Sequence, residues 1–131
     1  MSGSVSTYPY SHDSDPPMPV VEIKLHAPGR VSPDRTFVAL VDSGSDGTIV
    51  PIALLEEVGA RYVGDAAVRW IWGASNPVDI YLANVVVGPH TIRGVRVIAA
   101  PENSEIILGR NVLNHLVVTL NGLAGVTEIV T

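Results

Sequence analysis

Aliphatic and polar residues alternate from Val20 to His26, and a second apolar stretch, Phe37 to Val41, follows a turn at Pro28-Gly29. Period-two alternation predicts a half-buried strand and the short apolar run predicts a buried one. Thr48 to Val50 continues as a strand. Pro51 then opens a short helix through Glu57, because proline suits a first helical position and Gly59 suits a helix exit. Residues 66–100 are rich in Val and Ile, and Gly73-Ala74-Ser75-Asn76-Pro77 and Gly88-Pro89 punctuate them, which predicts successive hairpins. A short helix is expected over Arg110 to His115, then strands at Leu116 to Asn121 and Val126 to Val130 around a Gly122 to Gly125 turn. Residues 1–18 hold Ser, Pro, Tyr and Asp with few aliphatics, a composition that predicts a flexible tail. Residues 19–131 then form one all-β domain with one or two short helices.

Composition narrows the function classes. With 131 residues, 47% of them apolar, the chain can bury one modest core and is too short for two lobes. A net charge of -5 without any Lys/Arg cluster argues against nucleic acid or an anionic membrane as the main partner. The absence of cysteine excludes disulfides and thiolate metal sites. His90 and His115 fall at a predicted turn and a helix end, where a structural histidine is the simpler reading, so no metal is expected. No apolar run approaches the roughly 20 residues of a membrane span, and no basic-apolar signal pattern opens the chain, so the expected location is cytoplasmic.

The segment with the most chemical content is Phe37-Val-Ala-Leu-Val-Asp-Ser-Gly-Ser-Asp-Gly-Thr48. It places a carboxylate, Asp42, at the end of an apolar strand, where access of water is expected to be restricted. Ser43 follows with a short hydroxyl and Gly44 with a backbone that admits another chain closely. A calcium loop starting at Asp42 would need a bidentate Glu where Ala53 stands. A nucleophilic serine would need Gly-x-Ser-x-Gly, which is absent around Ser43 and Ser45. A structural turn between two strands is the bland alternative.

A distal segment, Ile106-Ile-Leu-Gly-Arg-Asn-Val-Leu113, decides against that alternative. Asp-Ser-Gly followed at this distance by apolar-apolar-Gly-Arg-Asn-x-Leu resembles the retropepsin-like (retroviral-type) aspartic proteases over roughly residues 19–131. The resemblance implies a closed β-barrel, one acid-protease lobe per chain, and a homodimer that brings Asp42 of each subunit together. It also implies a polypeptide substrate and no cofactor. In such a dyad two carboxyls share a proton, and one activates water while the other protonates the carbonyl.

The same resemblance implies roles for neighbouring residues. Ser43, where threonine is commoner, would bond across the two-fold, and Gly44 would admit the substrate backbone. Ser45 would orient the dyad. Gly109 would pack beside the loop, and Arg110 would pair with Asp46 to lock it. The first hairpin would act as a flap, with Trp70, Trp72, Gly73, Ala74 and Ser75 as its substrate-binding residues, although family flap tips are often richer in glycine. The terminal strands extend beyond the minimal retroviral pattern, so the dimer interface is expected to differ. A catalytically inactive peptide-binding or dimerisation module of the same fold is the rival reading.

Overall fold

The computed structural model describes residues 4–30, 35–69, 75–101 and 104–131. In chain order the elements are β1 (Val5–Pro9), β2 (Val20–His26), β3 (Phe37–Val41), β4 (Thr48–Pro51), α1 (Ile52–Val58) and β5 (Arg61–Arg69). Then come β6 (Ser75–Val87), β7 (His90–Ala100), β8 (Ile106–Leu108), α2 (Arg110–Leu113), β9 (Val118–Asn121) and β10 (Val126–Val130). Six strands close into a barrel in the order β2-β3-β8-β4-β7-β6, completed by pairing of β6 back onto β2. Strand β5 pairs with β6 outside that ring. The barrel, with its two short helices, is the fold expected from the sequence.

Alternation along the strands fills the barrel. Val21, Ile23 and Leu25 of β2 point inward with Ala39 and Val41 of β3, Val85 and Val87 of β6, Val97 of β7 and Leu108 of β8. Leu55 of α1 and Val112 of α2 are fully buried against them. Each such Val, Leu or Ile side chain contributes roughly 1.5–3 kcal/mol on leaving water. Gly59 ends α1 in the left-handed conformation (φ 74°), which glycine adopts without Cβ strain.

Two expectations need correction. Residues 5–9, placed in a flexible tail, form β1, which runs antiparallel to β10 with Val5 opposite Val130 and Pro9 opposite Val126. Their order comes from main-chain hydrogen bonds to a strand at the other end of the chain, with half-buried Tyr8 packed on the core, and not from aliphatic content. Ser11 and Met18 then exchange backbone hydrogen bonds, so the connection to β2 is a closed loop. The second correction concerns β3, whose apolar run is not buried on both faces: Val38 is 60% exposed and Leu40 half-buried. Strands in a barrel this small have one inner face only, and the other faces outward.

Asn84 sits at an irregularity in the β6–β7 register between Ala83 and Val85. There β6 changes neighbour: residues 75–82 pair with β5, whereas residues 84–87 pair with β2. The buried Asn84 side chain is satisfied at this bulge by the Gly94 N–H, 2.9 Å away. On β5, Tyr62 donates to Asp65 Oδ1 at 2.6 Å and meets the Tyr81 ring edge-on.

Two predictions follow from these contacts. Thr127 is fully buried on β10 and its hydroxyl has no hydrogen-bond partner among the described residues. Thr127→Val, which keeps the shape and removes the orphan hydroxyl, is expected to raise stability by about 1 kcal/mol in urea unfolding. The hydrogen bond to Asp65, aided by the nearby negative charges of Asp65 and Asp79, pushes the Tyr62 phenol up to about 12. A phenol raised in the folded state keeps its bond intact below the unfolded value of about 10, and loses it as pH climbs through the folded value. Titration of Tyr62 by NMR should show this upward shift, and Asp65→Asn should return it towards the ordinary range.

Candidate active site

Asp42 is the first residue after β3, and its N–H donates to Leu108 O on the parallel neighbour β8 at 3.1 Å. The loop then turns back on itself. Ser45 N–H donates to Asp42 O at 3.2 Å, and Gly44 N–H donates to Asp42 Oδ1 at 2.9 Å. One carboxylate oxygen is thus held by the main chain, a charge-assisted bond that fixes the side-chain direction. A Cβ on Gly44 would lie 3.1 Å from that same oxygen, so glycine keeps the carboxylate uncrowded. Asp42 is half-buried, while Ser43 and Gly44 beside it are exposed. Water access to the carboxylate is therefore less restricted than the apolar strand suggested, because Asp42 lies just past the strand's end in a loop whose next two residues are exposed.

The Ile106–Leu113 segment meets this loop at Gly109. An added Cβ there would stand 2.1 Å from Gly47 O and 2.8 Å from Ser45 O, distances that no rearrangement of a side chain could relieve. Arg110 N–H donates to Ser45 O at 2.8 Å. Beneath, Gly109 N–H donates to Thr48 Oγ1 at 3.1 Å and Thr48 Oγ1 donates to Asn111 Oδ1 at 2.7 Å. Asn111 Nδ2 in turn donates to Arg96 O of β7 at 3.0 Å. Thr48 is fully buried, and its hydroxyl is used once as acceptor and once as donor. The chain of bonds joins the Asp42 loop, the β8–α2 junction and β7. Asn111 stands in the Gly-Arg-Asn-x-Leu segment without an expected role, and Thr48 only as the start of a strand. A lone threonine opening a strand and an asparagine in a helix carry no mark of meeting each other.

Several expected roles change. Arg110 does not pair with Asp46. Its Nη1 donates to Ser43 O at 2.7 Å, and Asp46 is exposed, with no ion pair among the described residues. Anchoring of the Arg110 backbone on Ser45 aims its side chain at the Ser43 carbonyl, and an ion pair in open water would add little. Ser45 Oγ donates to Gly47 O at 2.7 Å, so it braces the loop and does not reach the Asp42 carboxylate. Of the hairpin residues, Trp70, Trp72, Gly73 and Ala74 lie outside the described residues, and Ser75 opens β6 opposite Arg69.

Strand register reveals a feature that the apolar runs concealed. Leu40 pairs with Ile107, Ile107 with Ile49, and Ile49 with Ile98. Paired residues share a face, so these four half-buried side chains form one row across β3, β8, β4 and β7. Their sequence neighbours Val41, Leu108, Val50 and Val97 are buried on the opposite, inner face. The row starts two residues before Asp42 and provides an apolar floor next to the carboxylate.

Comparison with known proteins bears on the family and the fold. The sequence pattern of the family described as "gag-polyprotein putative aspartyl protease" matches residues 28–115, more than half of the chain, including both the Asp42 loop and the Gly109 segment. Among solved structures, a retropepsin-like aspartic protease from Rickettsia conorii superposes with a TM-score of 0.59 over 98% of this chain and 94% of that one. At 11% sequence identity this is a likeness of fold. No curated protein sequence matches the chain.

The contacts at Gly109 and Thr48 predict how the loop fails. Gly109→Ala is expected to cost at least about 3 kcal/mol, since backbone must move to admit the methyl. Thr48→Val should cost about 1–3 kcal/mol by orphaning the Gly109 N–H, whereas Thr48→Ser should retain most of the stability. Urea midpoints of the three variants would check the order.

Proposed function

The chain belongs to the gag-polyprotein aspartyl protease family, and on that premise we propose that it is an aspartic endopeptidase whose active form is a homodimer with one Asp42 from each subunit. The observation that carries this reading is the state of Asp42. Its loop fixes one carboxylate oxygen through Gly44 N–H and leaves the side chain half-exposed beside an apolar floor. The sequence contains a single Asp-Ser-Gly, so a second carboxylate must come from a second copy. Exposed Val5, Leu120 and Val130 on the terminal strands offer apolar area to such a partner.

With two carboxyls in contact, like charges oppose double ionisation and the pair holds one proton. The ionised member takes a proton from water as its oxygen attacks the scissile carbonyl carbon. The protonated member gives its proton to the carbonyl oxygen, producing a neutral gem-diol. Collapse of that intermediate breaks the C–N bond, with the proton held by the first carboxyl passing to the leaving amine and the other carboxyl reclaiming one from the diol. The row Leu40, Ile107, Ile49 and Ile98 suits apolar side chains on the substrate. In this reading the β5–β6 hairpin serves as their cover.

Cleavage of a peptide library by wild type and by Asp42→Asn tests the proposal. Wild-type cuts clustered at apolar residues, with a loss of at least about a hundredfold in Asp42→Asn, are expected. A folded, dimeric wild type that binds peptides yet cuts none would leave the peptide-binding module as the reading.

A further inference from the structure

The outer face of β3 continues away from Asp42 into a groove of about 350 Å³. Val38 and Leu40 form its floor together with Val20, which pairs with Leu40. Met18, at the base of the closed loop that follows β1, and Leu54 of α1 supply further apolar lining. Among the described residues, Asp13 and Glu105, both exposed, are its charged groups, and no Lys or Arg lines it. Asp13 lies in the loop closed by the Ser11–Met18 hydrogen bonds, and Glu105 directly precedes β8, so two elements far apart in sequence each bring a carboxylate to the groove.

Leu40 belongs both to this groove and to the apolar row beside Asp42. An extended chain lying along β3 would pass from one to the other. At about 3.3 Å per residue, Val38 and Asp42 are about 13 Å apart, or about four residues of an extended peptide. We propose that the groove is a remote substrate subsite that selects a Lys or Arg among apolar neighbours, about four residues from the scissile bond, with Asp13 and Glu105 as its specificity-determining residues. The assignment rests on the endopeptidase reading for its role in cleavage. The aliphatic stem of a Lys or Arg fits the apolar floor while its charged end meets the two carboxylates, a division that these side chains make elsewhere. Because both carboxylates face water, the attraction is screened by salt.

The test separates binding from cleavage. Short fluorescent peptides with an apolar centre and Lys, Gln or Glu at each flanking position in turn are titrated into Asp42→Asn, and again into Asp42→Asn carrying Asp13→Asn and Glu105→Gln. At low salt the best Lys peptide should bind about fivefold tighter than its Gln counterpart. The preference should disappear in the variant with both carboxylates neutralised, and at high salt. Wild-type cleavage of a library should enrich Lys or Arg at one position about four residues from the cut. Equal binding of the Lys, Gln and Glu peptides, or a Lys preference that survives loss of both carboxylates, would overturn the proposal. A Lys preference without cleavage would instead overturn the endopeptidase reading while upholding the groove as a peptide site.

Discussion

The missing side chain of Gly109 lets two backbone segments touch, and the arrangement of the candidate site depends on that contact. With the β8–α2 junction resting on the carbonyls of Ser45 and Gly47, the Arg110 N–H can reach Ser45 and the Gly109 N–H can reach Thr48. These bonds act on the main chain of the loop, not on the Asp42 carboxylate. The carboxylate is therefore positioned by its own Gly44 N–H inside a loop that other elements have already made rigid. Rigid support from outside the reacting group is the arrangement that allows a carboxyl to keep a fixed direction and still be available to a ligand.

The barrel and the site use opposite faces of the same strands. Ala39 and Val41 bury one face of β3, and Val38 and Leu40 present the other. Parallel pairing of β3 with β8 and of β4 with β7 brings the four strands into register so that their outward residues line up. Inner packing thus fixes the spacing of the outer row, and a change in the core would be felt at the floor beside Asp42 through the backbone.

Much of the framework was legible because local chemistry specifies it. Pro51 and Gly59 mark the ends of α1, the Gly88-Pro89 turn joins β6 to β7, and glycines flank the Asp42 loop. What could not be read depends on partners distant in sequence. Strand β1 owes its order to β10, the Thr48 hydroxyl to Gly109 and Asn111, and the direction of Arg110 to where its backbone is held. The run Phe37 to Val41 hid its two faces, because every residue in it is apolar and only register separates inside from outside. The Asp46–Arg110 pairing, implied by the resemblance, failed for a related reason: the shared motifs bring the two segments together but do not decide which acceptor the guanidinium meets.

Strand β6 serves two neighbours in succession, first β5 and then β2, with the handover at the Asn84 bulge. Because β5 is hydrogen-bonded to β6 alone among the barrel strands, the ring is complete without it. The outer half of the hairpin is consequently a peripheral addition to a finished container. Descendants of this sequence can lengthen, shorten or rewrite that addition while the container stays closed, so variation at this edge need not be bought with variation in the fold.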